Sequence, residues 1–552
     1  MKILLAACNA KYIHSNPAVY NLRAYASDCR DSVFIKEFTI NQPKDEILKD
    51  IYRSGAGVVC FSCYIWNISF VKEIIEDLKK LLPDTAFWAG GPEVSFHGEE
   101  LLRAMPQLTG IMAGEGEETF RELAGYYVKN RGRLEDIRGI LLRQGEEIRN
   151  NGLREPVDLN KIPFVYEHIE EFSNRIIYYE SSRGCPFSCS YCLSSIDRRL
   201  RFRDPVLVKK ELQFFLDNKV PQVKFVDRTF NCRHSHAMEI WKYILEHDNG
   251  VTNFHFEVSA DLFTEEELKL LGQMRPGLVQ LEIGVQSANP QTLKAIRRKT
   301  DLQKLENAVA GIKEKENIHQ HLDLIAGLPW EDYESFRRSF NCVYKMKPDQ
   351  LQLGFLKVLK GSAMEKEAKE YGMIFKTREP YEILSTKWLS YEEILKLKMV
   401  ESMVEVYYNS GQFQHTLNWI MRFYEDAFSF FESLGRFYEK KGYGEISHSR
   451  IRRYEILLEF LREETKIPEA EASQKMIYDL YLRENLKKRP CFAPDQKAYE
   501  KAVWTYRKEH QISKTAHIEV FQDGTAVLFD YDRRSPLSHN ALTEEICLSY
   551  GR

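Results

Sequence analysis

The chain has 552 residues, three to five times a single-domain length of roughly 100–200 residues, so about three domains are expected. Its 43% apolar and 29% charged residues, with 29 Gly and 19 Pro, exclude a disordered, fibrous or collagen-like chain. The 78 Lys plus Arg against 81 Asp plus Glu, a net charge of −3, leave no overall field to hold a polyanion, and eleven cysteines are too few for a disulfide scaffold. A reduced, cytoplasmic protein without a nucleic-acid partner is the expectation. Leu5-Ala6-Ala7-Cys8 matches the residues before a lipid-modified bacterial cysteine, but the apolar stretch Ile3–Ala7 falls short of the roughly 7–15 residues of a signal. It reads as a first strand. No apolar run approaches the ~18–20 residues of a membrane span, so no membrane partner is expected.

From Lys2 onward, short β-branched or aromatic runs alternate with segments of helical period, the pattern of a parallel sheet wound by helices. Strands are expected at Lys2–Cys8, Ser32–Phe38, Gly57–Ser62, Thr85–Gly90 and Gly110–Ala113. Helices are expected at Pro17–Asp28, Lys44–Arg53, Ile68–Leu82 and Glu117–Val128. Ligands of such sheets bind outside the carboxyl ends of strands. Those ends carry Ser62, Tyr64 and Asn67, then Gly90 and Gly91, then Gly114 and Glu115: glycines that admit a bulky planar ligand, beside polar groups that orient it. Cys60 and Cys63 form a C-x-x-C, but no second pair or histidines follow at zinc spacing. A small hairpin is expected over Arg138–Asn150, and Pro156 and Pro163 punctuate the connection after it. This gives a Rossmann-like domain over 1–150 and a linker over 151–172.

A strand at Ile176–Ser182 runs directly into Cys185, Cys189 and Cys192, spaced C-x-x-x-C-x-x-C on one short loop with Gly184 and Pro186. Three thiolates there can hold three corners of a 4Fe–4S cube and leave the fourth iron open. Zinc would lack a fourth ligand. Strand and helix signals then keep alternating, as a partial (β/α)6 barrel requires. The further strands are Gln222–Val226, Asn253–Val258, Leu278–Gly284, Gln320–Ile325 and Gln350–Val358, with helices at Val206–Asp217, His234–His247, Glu265–Gln273, Leu302–Lys315 and Tyr333–Met346.

With Tyr191 in the aromatic place, C-x-x-x-C-x-aromatic-C resembles the hallmark of the radical S-adenosylmethionine (SAM) superfamily. The resemblance implies that Cys185, Cys189 and Cys192 hold the cluster and that the amino and carboxylate groups of SAM occupy the fourth iron. Reductive cleavage to methionine and a 5′-deoxyadenosyl radical follows, with an electron donor such as flavodoxin or ferredoxin. It also implies SAM-binding roles for Tyr191, Glu257, Gln286 and Arg298, with Asp227 standing in for an absent Gly-Gly-Glu.

A wound α/β domain directly before such a barrel resembles the cobalamin-binding subclass, in which a corrinoid sits between the two domains. Ser62, Tyr64, Asn67, Gly90, Gly91, Gly114 and Glu115 are then its candidate contacts. The Asp-x-His-x-x-Gly that supplies a cobalt ligand in some cobalamin proteins is missing around His14, so the lower face of cobalt is expected to be open or met by the Ser62–Asn67 loop. The implied reaction is methylation of an unactivated carbon in a small-molecule or peptide substrate. The whole-chain pattern resembles a bacterial subgroup with a C-terminal DUF4080 region.

A methylthiotransferase, a cyclase or rearrangement enzyme, and a non-catalytic cobalamin or redox sensor are the alternatives. Arg198–Arg203 is a basic nucleic-acid patch, or, as such runs more often are, a solvated face or a segment packed near the cluster loop. The barrel is expected over 173–375. The remainder, 376–552, should be mostly helical, over Tyr391–Tyr408, Asn418–Lys441 and Ser449–Glu463. A hairpin of His517–Gln522 and Thr525–Tyr531 closes it on a two-residue Asp523-Gly524 turn.

Overall fold

The computed structural model describes residues 1–548. Its first strand, β1 (Ile3–Asn9), is buried along its whole length. Leu4, Ala6 and Cys8 enter one apolar cluster and Ile3, Leu5 and Ala7 another, the two-residue alternation of a strand covered on both faces. In chain order there follow α1 (Pro17–Tyr25), β2 (Val33–Thr39), α2 (Lys44–Ser54), β3 (Val58–Ser62), α3 (Ile68–Leu81) and β4 (Ala86–Gly90). The domain continues with α4 (Pro92–Ser95), α5 (Gly98–Ala104), β5 (Gly110–Met112), α6 (Glu117–Lys129), β6 (Ile140–Gln144) and β7 (Glu147–Asn150).

The sheet order is β2-β1-β3-β4-β5-β6-β7, parallel through β5 and antiparallel beyond it. The expected small hairpin is therefore not a free appendage: its first strand pairs with β5 and extends the sheet. Helices α2 and α3 cover one face through Ile47, Ile51, Val71, Ile74 and Leu78, and α1 and α6 the other through Val19, Phe120 and Leu123. The short helices α4 and α5 occupy a stretch that the sequence offered only as a strand-end turn.

This domain lies in a unit of residues 1–273, 293–300 and 355–387. The unit also contains β8 (Ile177–Tyr179), β9 (Ser182–Arg183), β10 (Arg201–Phe202), α7 (Pro205–Asp217), β11 (Gln222–Phe225), α8 (His234–Glu246), β12 (Asn253–Val258) and α9 (Glu265–Leu271). β8, β11 and β12 run parallel side by side. The single strand expected over Ile176–Ser182 is divided: β8 stops at Tyr179, and Ser182 and Arg183 pair with Phe202 and Arg201 in a separate antiparallel ribbon. Thr264 starts α9 with a capping box closed by Glu267, a local signal that fixes the helix start.

The second unit holds residues 274–292, 301–354 and 388 onward. β13 (Val279–Gln286) pairs in parallel with β14 (His319–Ala326), with a register shift between Gly284 and Gln286; β15 (Gln350–Phe355) follows. The C-terminal region is built from helices Tyr391–Met403, Gln414–Ile420, Ala427–Lys441, Arg450–Glu464, Glu469–Arg483 and Glu500–Glu509. Phe428, Phe430, Phe431, Tyr454 and Phe460 are fully buried, so the aromatic stripes are core. The helix expected over Asn418–Lys441 is two helices, broken where Asp426 caps the second by accepting from Ser429 N. The expected hairpin is a three-stranded antiparallel sheet of His517–Val520, Ala526–Arg534 and Ala541–Ile546. Its first turn has three residues, because Phe521 N donates to Thr525 O and Gly524 takes the left-handed conformation. Among the described residues no helix is long and apolar enough to cross a membrane.

Candidate functional site

The cysteine loop leaves the β9–β10 ribbon at Gly184, whose φ is +97° and whose place a Cβ would fill to within 2.4 Å of the Arg199 carbonyl oxygen. Only glycine fits there. Cys185 and Cys189 are buried, Cys192 is half-buried, and all three are free thiols. Backbone bonds pin the loop: Cys185 N to Asp197 O at 3.3 Å and Ser190 N to Ile296 O at 3.0 Å. Thr229 Oγ1 lies 3.7 Å from Cys185 Sγ, and Arg298 Nη1 donates to Cys189 Sγ at 3.9 Å. Burial pushes the Cys185 thiol up, and the nearby Cys192 and Cys189 push it the same way, so the three sulfurs act on one another. Among the described residues no three His, Cys, Asp or Glu side chains close on a single metal ion. Three mutually interacting sulfurs on one loop, flanked by a guanidinium that offsets their charge, fit an iron–sulfur cluster with three cysteine ligands.

The expected SAM contacts divide. Tyr191 is half-buried beside Arg298 and Cys189, and burial holds its hydroxyl protonated. Glu257 stands on β12, 4.0 Å from Arg228 Nη1. Gln286 ends β13 at φ +72°, with Oε1 buried and unpartnered among the described residues. Asp227 is placed differently. It has no exposed surface, and its carboxylate accepts from Ser181 N at 2.9 Å, Ser181 Oγ at 2.7 Å and Ser182 Oγ at 2.5 Å. It clasps the strand end that leads into the cysteine loop. Burial raises it to about 6 against the pull of those hydrogen bonds.

On the N-terminal domain, Gly90, Gly91, Gly114, Ser62 and Tyr64 line a pocket of about 460 Å³, floored by Leu5, Phe61 and Met112. At Gly91, φ +115°, a Cβ would meet Cys63 O at 2.4 Å. Ser62 Oγ accepts from Asn16 Nδ2 at 3.0 Å, and Tyr64 stacks on Trp66 at 4.4 Å. Two further candidates are tied into the fold. Asn67 is buried and spends its amide inside the loop: it donates to Cys8 O and Ser62 O at 2.9 Å each and accepts from Tyr64 N at 2.8 Å. Glu115 reaches the pocket wall, but its carboxylate is bound to Arg201, to Val157 N at 2.7 Å and to Arg183 at 3.4 Å. Those partners hold it below the usual range despite its burial. Cys60 and Cys63 are buried thiols pushed far up by desolvation, so the C-x-x-C is core. His14 Nδ1 is 2.6 Å from Tyr178 Oη, and Ile13 O accepts from Ile176 N, a stitch between the loop after β1 and the start of β8.

The pocket shares Ser95, Phe96, Gly114, Arg183 and Leu193 with a wider cleft of about 1440 Å³. One side of that cleft is the N-terminal domain; the other is Leu193–Arg199, immediately after the third cysteine. Arg183 ties the two sides, with Glu180 at 2.7 Å and Glu117 at 2.9 Å. An open cleft continuous with a glycine-rimmed apolar arm fits a large flat cofactor with an appended group. No local signal marks the strap at residues 360–381. Lys360 Nζ meets the buried Glu93 at 3.0 Å, Tyr381 donates to Glu93, Glu365 lies 3.1 Å from His97 at the cleft, and Met364 N donates to Ser190 O of the cysteine loop at 2.8 Å.

Comparison with known proteins agrees with this geometry. Family models match the B12 binding domain at residues 3–124, the Radical SAM superfamily at 179–343 and the protein of unknown function DUF4080 at 369–530. The uncharacterized methyltransferase PH0819 of Pyrococcus horikoshii is 25% identical over 317 residues, 56% of this chain and 67% of its own length. The cobalamin-dependent radical SAM methyltransferase TokK of Streptomyces tokunonensis is 25% identical over 337 residues, 57% of this chain and 47% of its own length. The chain thus spans about half to two thirds of these relatives. The fold is shared with the cobalamin-dependent S-adenosylmethionine radical enzyme OxsB, solved with aqua-cobalamin bound: TM-score 0.60 at 14% identity, over 92% of this chain and 75% of that one. The chain belongs to the B12-binding branch of the radical SAM superfamily with a C-terminal DUF4080 region, and the cofactors of those domains are a 4Fe–4S cluster, SAM and cobalamin.

Proposed function

We propose that this chain is a cobalamin-dependent radical SAM methyltransferase acting on an unactivated carbon of a small-molecule or peptide substrate, in the cytoplasm, with flavodoxin or ferredoxin as electron donor. The observation that carries the reading is the cleft: the same volume is walled by the strand ends of the B12 binding domain and by the residues that follow the cluster cysteines. Two relatives named as methyltransferases support the reaction type. When bound, the cofactors supply a hydrogen-abstracting radical and a methyl donor.

Cys185, Cys189 and Cys192 would hold the cluster, with Arg298 offsetting thiolate charge at Cys189. Tyr191, Glu257 and Gln286 remain the candidate SAM contacts. Gly90, Gly91 and Gly114 would let a corrinoid approach the backbone, and Ser62 and Tyr64 would orient it. Asp227, Asn67 and Glu115 hold the loops in place.

The test is anaerobic reconstitution with iron, sulfide and hydroxocobalamin, followed by SAM and dithionite. The wild-type chain should bind about four irons, retain the corrinoid and release methionine and 5′-deoxyadenosine. Cys189→Ala should lose the brown absorbance and SAM cleavage; a variant that still cleaves SAM defeats the assignment.

A further inference from the structure

Arg198–Arg203 carries four arginines, and the fold treats them unequally. Arg203 is bound to the buried Glu211 at 2.9 Å. Arg201 is bound to Glu115 and, at 3.3 Å, to Asp197. Arg199 meets Asp197 at 3.0 Å and Glu155 at 3.3 Å. Arg198 is exposed, makes no hydrogen bond or ion pair among the described residues, and lines the 1440 Å³ cleft. A second arginine on the same cleft, Arg228, is 56% exposed at its side chain and has only the Glu257 carboxylate, at the outer limit of 4.0 Å. Two guanidiniums, one without an ion pair among the described residues and one with a single partner at 4.0 Å, thus line one cleft, whose carboxylates Glu115 and Asp197 are already bound to Arg201 and Arg199. The neighbouring basic groups have been neutralised within the fold.

We infer that Arg198 and Arg228 form an anion-binding site in the cleft, for the phosphate or carboxylate group of a ligand. The planar, multi-donor guanidinium matches such oxyanions, and an open cleft lets the anion keep part of its hydration. The shared chemistry has two sources: the phosphodiester of a bound cobalamin, or an anionic group on the substrate. The inference goes beyond the methyl-transfer reading and does not depend on it, because it concerns what the cleft binds and not what reaction follows.

The test uses the full chain, inorganic phosphate as probe, and titration calorimetry. Wild-type chain should bind phosphate, and Arg198→Gln/Arg228→Gln should weaken binding on the order of tenfold or more, as expected for loss of charge-assisted hydrogen bonds. Arg199→Gln, which removes an exposed but paired arginine, should leave it unchanged. Both variants should keep the wild-type circular dichroism spectrum. Repeating the titration on chain loaded with hydroxocobalamin or with cobinamide, which lacks the phosphodiester, separates the sources. Loss of phosphate binding with cobalamin alone assigns the site to the cofactor phosphodiester; binding retained with both assigns it to the substrate. Three results overturn the inference: no phosphate binding by wild type, equal binding by the double variant, or loss with both corrinoids, which would mean that the ring covers the arginines.

Discussion

Replacing Asp227 by Asn should remove a pH dependence of stability that the wild-type chain carries. In the folded chain this carboxyl is raised from 3.8 to about 6 by burial. A group with a raised folded pKa binds its proton more tightly in the native state. Its contribution is therefore fully present below about 3.8, declines as pH rises, and is gone above about 6. At 1.36 kcal/mol for each tenfold change in proton affinity, the wild-type advantage over Asp227→Asn should fall by about 2 kcal/mol between pH 4 and pH 7. Urea denaturation of the cluster-free chain at both pH values, wild type against variant, reads this difference directly and cancels every other titrating group. Asp227→Ala should also lower iron incorporation, because it leaves Ser181 N and the Ser182 hydroxyl without their acceptor four and three residues ahead of Cys185, at about 1–3 kcal/mol per buried donor. Identical pH dependence in wild type and Asp227→Asn, or a wild-type advantage that grows toward pH 7, would refute the reasoning.

Two further outcomes are expected. Gly184→Ala forces a Cβ to 2.4 Å from Arg199 O at φ +97°, so it should cut iron bound after reconstitution severalfold while leaving the far-UV circular dichroism spectrum intact. At the strap, burial works against charge on His97, yet Glu365 and Glu100 hold its pKa above the ordinary histidine value. The contact is therefore strongest below pH 6.5 and weakens as pH rises through that raised value. Cobalamin should be lost faster on gel filtration at pH 8.5 than at pH 6, and Glu365→Gln should abolish the difference.

The three cysteines, the strand–helix alternation and the glycines at strand ends were legible in the sequence because each carries a local signal: a fixed spacing, a period, a residue type that a turn demands. The division of labour among polar residues was not. Asp227, Asn67 and Glu115 stand at strand ends where a ligand contact and a structural clasp look alike, and their partners lie 46, 59 and 86 residues away, at Ser181, Cys8 and Arg201. The helix Glu469–Arg483 lacks a side-chain cap, and the strand Ala541–Ile546 is buried only at its two ends, so neither carried the pattern that marks its neighbours. Tertiary contacts settled both.

The strap has a consequence for the order in which the chain can become complete. Glu93, in the B12 binding domain, is 7% exposed and meets its cation, Lys360, only 267 residues later. The cysteine loop likewise waits for Met364 to satisfy the Ser190 carbonyl. A nascent chain that has emerged only as far as the last cluster cysteine therefore holds a buried carboxylate without its countercharge and a cluster loop without one of its fastenings. A fragment cut at the end of β15 would inherit the same two defects permanently. The natural unit for expression or dissection thus runs past Tyr381, into the segment matched by DUF4080, whatever that region contributes to the substrate.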